Sequence, residues 1–135
     1  MASDLPYIYP TLRDLTSEIG QVQVYWSFLE AEMRRQLAET EDARSSKVPI
    51  VFRWRSASAT VESSFRSRLL VELDRIAGAR NLLAHGINST SANPWKENSA
   101  FVECLAADGS KHRFTLDEIR TLAEDIDRFR LAIRC

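Results

Sequence analysis

The side chains best suited to chemistry in this chain lie in one short segment, RNLLAHG at residues 80–86. It combines a permanent cation (Arg80), an amide (Asn81) and an imidazole (His85) within about two helical turns. A guanidinium can grip a phosphate through two parallel hydrogen bonds and offset negative charge that grows there. An imidazole near the C-terminal end of a helix feels the negative end of the dipole, which favours imidazolium and proton transfer near neutral pH. The segment therefore indicates work on a phosphate group.

The geometry of a regular helix limits how these side chains can meet. Asn81 and His85 are four residues apart and share a face, whereas Arg80 points about 140° away from His85. A helix that stops at Gly86 can relax that angle. Because one histidine cannot easily be base and acid in the same step, two copies across a two-fold axis would supply both. The alternative is a structural helix end, in which Arg80 pairs with an acid, His85 caps carbonyls, and Asn81 bonds backbone or holds a dimer.

The full string at residues 80–86, at the end of a long helix in a small bundle, resembles the HEPN superfamily (higher eukaryotes and prokaryotes nucleotide-binding domains). These helical domains are marked by an arginine, a polar residue and a histidine, which Arg80, Asn81 and His85 match. The resemblance implies one HEPN-like domain over residues 1–135, with those three residues catalytic. It implies a metal-independent endoribonuclease without a cofactor, in which the ribose 2′-hydroxyl attacks the adjacent phosphate and leaves a cyclic phosphate and a 5′-hydroxyl.

The same resemblance suggests partners. RNA would be the substrate, the protein would be a homodimer, and a toxin or antiviral defence role would bring a cognate antitoxin or effector protein. One subgroup has a tyrosine two positions after the histidine, which a partner nucleotidyltransferase modifies; here that position is Ile87, so this kind of partner is not implied. Two alternatives stay open. One is a non-catalytic relative that binds RNA or protein, and the other is a purely structural dimerisation bundle.

Charge is distributed unevenly along the chain. The net charge of −1 argues against a protein that coats nucleic acid through bulk charge. Residues 43–80, however, carry eight Lys or Arg against three acids, while the rest carries ten against sixteen. In this basic stretch Arg53-Trp54-Arg55 could stack on and clamp a single-stranded base, and Arg75 is a further RNA-contact candidate. The alternatives are a solvated Arg-rich face and a buried tryptophan.

Length and composition predict a single globular domain. The cysteine content predicts that the protein resides in the reducing cytoplasm. The chain has 135 residues, 44% of them hydrophobic and 27% charged. No apolar run approaches the roughly 20 residues that span a bilayer, and no signal peptide is visible at the N-terminus, so no membrane partner is expected. Cys104 and Cys135 form neither a disulfide framework nor a metal-binding spacing. His112 is interpreted as an exposed strand residue.

Periodicity predicts the elements that position the motif. The first helix should run from Thr11 to Thr40, with Thr11 and Asp14 as its cap and an apolar seam at alternating steps of three and four. This seam comprises Leu12, Leu15, Ile19, Val22, Trp26, Leu29 and Met33. Residues 48–57 fit a strand or a short helix beginning at Pro49; the flanking helices favour the helix.

The third helix should run from Ala59 to His85 and carry the motif at its end. Its stripe comprises Phe65, Leu69, Leu73, Ile76, Arg80 and Leu83. Gly86 is predicted to adopt the left-handed conformation that ends a helix, with Ile87 folding back onto Leu82.

A loop is expected over residues 88–98, followed by a hairpin whose strands, 101–106 and 111–115, flank the turn Asp108-Gly109. A capping box of Thr115 and Glu118 opens the last helix, with apolar positions at Leu116, Ile119, Leu122, Ile126, Phe129 and Ile133. The predicted fold is mainly all-α: an up-and-down four-helix bundle with a small β-hairpin inserted before the last helix.

Overall fold

The computed structural model describes residues 11–38, 48–61, 63–93 and 99–134. The predicted fold class is confirmed: the chain is mainly helical, and the described residues form four helices and a small antiparallel sheet before the last one. The sheet has three strands rather than the two of the predicted hairpin. The elements are α1 (Leu12–Ala38), α2 (Ile50–Ala59), α3 (Ser64–His85), β1 (Ile87–Ser91), β2 (Phe101–Leu105), β3 (Lys111–Thr115) and α4 (Leu116–Ile133). No helix in the described ranges is long and apolar enough to cross a membrane.

The longest helix, α1, packs along α4, and the two run in the same direction. Arg120 near the start of α4 bonds Glu18 near the start of α1 (Nε to Oε1, 3.3 Å). At the other end, the Gln36 amide donates to the carbonyl oxygen of Ile133 (2.7 Å). The inserted sheet connects the end of α3 to the start of α4.

The short helix α2 lies at the end of the bundle where α1 and α4 finish, and α3 starts from there in the opposite direction. Trp54 of α2 donates from Nε1 to Gln36 Oε1 of α1 (2.8 Å). The Arg66 guanidinium, near the start of α3, lies 5.8 Å from the centre of the Trp54 ring. Further along α3, Arg80 bonds Gln23 in the first half of α1. In chain order, the long helices α1, α3 and α4 therefore alternate in direction, with α3 antiparallel to the other two.

The predicted apolar stripes differ in how many of their residues are buried. All six predicted positions of α4 are buried, and the α1 seam is buried at Leu15, Val22, Trp26, Leu29 and Met33. Leu12, the first residue of α1, is instead 51% exposed. On α3, Leu73, Ile76 and Leu83 are buried, but Phe65 is 54% exposed, so its assignment to the core is wrong. Phe65 lies in the first turn of α3, where the apolar period does not guarantee a neighbouring element.

Local hydrogen bonds decide where the helices begin. The Thr11 cap is confirmed, since its N–H donates to Asp14 Oδ2 (2.6 Å). The short helix predicted at residues 48–57 is also confirmed, with bounds shifted to Ile50–Ala59. The third helix starts at Ser64 rather than Ala59, because Ser63 Oγ accepts from the Arg66 N–H and caps it there. The capping box of α4 is present as predicted. The predicted end of the first helix at Thr40 lies outside the described residues.

The sheet has the order β1-β2-β3 with antiparallel pairing throughout. The loop predicted for residues 88–98 is wrong in its first part, because Ile87–Ser91 forms β1 against β2. Its polar sequence hid the strand: all five residues are exposed, so no apolar alternation marks them. Residues 94–98 lie outside the described part of the chain. The hairpin turn has Gly109 at a φ of 88°, as an Asp-Gly turn requires.

Gly86 joins the end of α3 to the sheet in a way that the sequence did not predict. Its φ is −113°, so the left-handed stop is wrong. The glycine is required for space, since a Cβ there would lie 2.9 Å from Leu105 O and 3.0 Å from Leu82 O. Its carbonyl accepts from the Leu105 N–H (2.8 Å), and its N–H donates to Leu82 O (2.7 Å). The end of β2 is therefore fixed beside His85.

We expect Gly86→Ala to lower the free energy of unfolding by about 1–3 kcal/mol, because two backbone oxygens must move to admit the methyl group. Gly20→Ala is the matched control. A Cβ at Gly20 meets nothing within 4 Å, so alanine in this helix should raise stability by roughly 0.5–1 kcal/mol. Denaturant titration of both variants checks the two signs. Equal stabilisation by both substitutions would contradict the close approach at Gly86.

Candidate functional site

The three predicted catalytic residues, Arg80, Asn81 and His85, line a single surface groove of about 830 Å³. The groove is lined by residues of α1, α2 and α3, together with Leu105 at the end of β2 and the two residues that follow it. Arg80 reaches this groove although a regular helix points it away from His85, because its side chain is long and rests against α1. The sequence-predicted trio therefore converges within one chain.

Arg80 is half-buried and held on three sides. Its guanidinium carbon lies 5.2 Å from the centre of the Trp26 ring, a cation–π contact. Its Nε donates to Gln23 Oε1 (3.2 Å), and its Nη1 donates to Asn81 Oδ1 (3.1 Å). Within the described part of the chain no carboxylate forms an ion pair with Arg80. These neutral partners fix the guanidinium without neutralising its charge, and its remaining N–H groups bond no described residue, so they can bind an anion.

Asn81 and His85 are exposed on the same face of α3. Asn81 uses its carbonyl oxygen to hold Arg80, which leaves its amide N–H groups for a ligand. The last residue of α3 is His85, and its imidazole hydrogen-bonds to no described residue. Both ring nitrogens are therefore open to a group bound in the groove, as proton transfer requires. The alternative in which His85 only caps helix carbonyls finds no such bond among the described residues.

An ion pair between Arg55 and Asp74 also lines the groove, two helical turns before Asn81. Arg55 donates from Nε and Nη2 to the two carboxylate oxygens of Asp74, each at 2.8 Å. The hydrogen bonds from Arg55 hold the pKa of the Asp74 carboxyl below its ordinary value. Asp74 therefore pairs with Arg55 of α2 and orients neither Arg75 nor Arg80. Glu30 of α1 also lines the groove, but among the described residues it forms no ion pair with Arg80.

Of the four residues predicted to contact RNA, Arg55 lines this groove, whereas the other three do not. Trp54 is only 2% exposed, and it packs edge-on against Phe129 (6.0 Å between ring centres), so it cannot stack on a base. Its large apolar ring fills the junction of three helices, which outweighs any surface role. Arg53, beside it, is half-buried and is not among the groove residues.

The fourth RNA-contact candidate, Arg75, faces a different side of α3. It lines a separate cavity of about 310 Å³ and pairs with Asp125 of α4 (2.6 Å) as well as with Glu72. Those two carboxylates raise its pKa and compensate its charge. The RNA-contact candidate Arg75 therefore lies away from the groove that Arg80 lines, because residues five apart on a helix point in different directions.

The interpretation of His112 as an exposed strand residue is confirmed. It lies in β3, and its Nε2 is 3.1 Å from Ser110 Oγ. Cys104, on the neighbouring strand, is buried, and burial raises the pKa of its thiol. Among the described residues, no three His, Cys, Asp or Glu side chains are grouped as metal ligands would be.

The residues that support and extend the site carry no signal in the sequence that marks them as functional. Gln23 and Trp26, which hold Arg80, lie three apart on α1 and so share a face. Trp26 was assigned only to the apolar seam. Phe52, which is 62% exposed and lines the groove, precedes Arg55 by the same three-residue step on α2. Both three-residue spacings are visible in the sequence. The sequence does not show that these faces of α1 and α2 are turned towards Arg80.

The chain matches no protein-family model, no curated protein and no solved structure.

Proposed function

We propose that this protein is a metal-independent endoribonuclease of the HEPN type that binds a phosphodiester in the groove of α3. The observation that carries the proposal is that Arg80, Asn81 and His85 line one groove and that no described carboxylate forms an ion pair with Arg80. An immobilised guanidinium without an acidic partner favours an anion, and phosphate suits its planar donors. The resemblance of residues 80–86 to the HEPN motif supports RNA as the source of that phosphate.

In this mechanism the 2′-hydroxyl attacks the adjacent phosphorus, and the bond to the 5′-oxygen of the next nucleotide breaks. One base must take the 2′-proton, and one acid must protonate the leaving oxygen. His85 would perform one of these transfers, while Arg80 and the Asn81 amide offset the charge on the phosphoryl oxygens. The products are a 2′,3′-cyclic phosphate and a 5′-hydroxyl end.

His85 is the one histidine that lines this groove, so a single chain supplies half of the acid–base pair. We therefore propose a homodimer in which two grooves adjoin and the two copies of His85 share the proton transfers. The same observation favours a second candidate function. If the grooves of two copies do not adjoin, the protein would bind RNA without cutting it, as a non-catalytic relative. A toxin or antiviral role, with an antitoxin or effector as partner, belongs to the first candidate.

The decisive experiment incubates the purified full chain with single-stranded RNA in excess EDTA and identifies the ends of the products. Cleavage that leaves cyclic phosphate and 5′-hydroxyl ends supports the enzyme. A shift of RNA mobility that weakens with salt, without cleavage, supports the binding module instead. RNA that stays both intact and unbound at every protein concentration rejects both functions and leaves the structural dimerisation bundle.

The Arg55–Asp74 pair gives a prediction about RNA affinity. Asp74→Asn removes the carboxylate that compensates Arg55, so the groove gains one positive charge near Arg80. We expect RNA to bind a few-fold more tightly at low salt, with a steeper fall in affinity as salt rises. Anisotropy titrations at several salt concentrations check both changes. Asp117→Asn, an exposed residue outside the groove, is the matched control, and an equal gain there would assign the effect to net charge alone.

A further inference from the structure

We infer that the α2 side of the groove is a nucleobase subsite, in which Phe52 stacks on a base of single-stranded RNA. This inference rests on the proposed function and adds a specific residue to it. Phe52 has the most exposed aromatic ring in the described part of the chain, at 62%. Exposing a ring to water costs free energy, and an aromatic face within a groove gains that energy back when a flat ligand covers it.

The groove changes character along its length. Its α2 side presents mostly apolar residues (Pro49, Val51 and Phe52 before and in α2, Leu73 and Ala77 of α3) beside the mutually paired Arg55 and Asp74. Its other end carries Arg80, Asn81 and His85. A nucleotide has the matching arrangement, with a flat, weakly polar base joined to an anionic phosphate. A purely apolar ligand would leave Arg80 without a counter-charge, and an inorganic anion would leave the apolar wall uncovered.

Helix geometry sets the spacing between the two ends of the groove. Phe52 lies one turn from Arg55 on the same face of α2, and Arg55 holds Asp74 of α3. From Asp74, the face of α3 that lines the groove continues for two turns, about 10 Å, to Asn81. The base would therefore lie against Phe52 while the phosphate of a neighbouring nucleotide contacts Arg80.

Phe52, and not Trp54 as the sequence predicted, is the proposed stacking residue of this segment. Trp54 is buried among three helices, whereas Phe52, two positions earlier, points away from the core and into the groove. Stacking on an aromatic side chain tolerates any base, so the subsite provides affinity for single strands without demanding a sequence. Duplex RNA, whose bases are stacked on each other, would not fit it.

The test uses the full chain carrying His85→Ala, so that RNA stays intact, and measures anisotropy with two labelled single strands. One is an oligoadenylate, and the other is a strand of equal length with abasic ribose at every position. We expect the parent to bind the oligoadenylate at least about tenfold more tightly. Phe52→Ala should bring the two affinities close together, while Phe52→Trp should preserve the difference. Phe65→Ala, which removes a comparably exposed ring outside the groove, should leave it unchanged.

The outcomes separate this inference from the proposed function. A parent that binds neither strand overturns both. A parent that binds RNA with the same base dependence after Phe52→Ala overturns the subsite alone. A parent that is dimeric by gel filtration and becomes monomeric with Phe52→Ala, without loss of base dependence, would show that a second copy covers the ring instead. Thermal melting of each variant confirms folding, which we expect to be unchanged because the Phe52 ring is exposed.

Discussion

Replacing His85 with alanine is expected to lower the rate of RNA cleavage by roughly 10²–10⁴-fold, the usual contribution of a positioned acid or base. The imidazole is exposed and bonds no described residue, so its removal should leave stability and RNA affinity nearly unchanged. The loss should therefore appear in kcat rather than in KM. Single-turnover cleavage in EDTA, with RNA binding measured in parallel, separates the two quantities.

His112 is the natural control for this substitution. It is exposed, lies on β3 and is not a groove residue. His112→Ala should therefore cleave RNA at the rate of the unmodified chain. Equal losses in the two variants, or full activity in His85→Ala, would remove His85 from the mechanism. Mixing wild-type and His85→Ala chains also tests the dimer, because shared proton transfer predicts that mixed dimers are inactive or strongly impaired.

Replacing Arg80 with alanine is expected to reduce cleavage by about 10²–10³-fold, as loss of one charge-stabilising group at a reacting centre does. Arg80→Lys should recover only part of this activity. A lysine keeps the charge but lacks the planar donors that bind Gln23 and Asn81 while facing a phosphate. RNA affinity should also fall, with a shallower dependence on salt, because one phosphate contact is lost.

Arg80 also packs against Trp26, so the structural part of its role must be measured separately. Arg80→Ala removes a cation–π contact and leaves the half-buried Gln23 amide without this donor, which should cost about 1–2 kcal/mol of stability. Arg68→Ala is the matched control, since Arg68 is exposed on the same helix and lies outside the groove. A variant Arg80→Lys that is folded, binds RNA as before and cleaves at the full rate would show that the arginine is not needed for chemistry.

Local chemistry made much of the fold predictable. The caps at Thr11 and Thr115, the Asp-Gly turn and the apolar period of α4 are interactions between residues a few positions apart, so the sequence carries them directly. The short helix after Pro49 followed from the helices on either side. The predicted start of α3 at Ala59 is wrong. The apolar pattern favoured an early start, but the hydroxyl of Ser63 caps the helix and makes it begin at Ser64.

The sequence alone also identified Arg80, Asn81 and His85 as the residues suited to phosphate chemistry, because their types and spacing are local properties. Tertiary structure decided whether they meet. Arg80 joins the groove because Trp26 and Gln23 of a distant helix hold it there, and Trp54 leaves the surface because three helices converge on it. Gly86 is needed for the approach of β2, and Phe52 is turned towards the groove by the packing of α2. Such contacts join residues far apart in the chain, so neither period nor propensity encodes them.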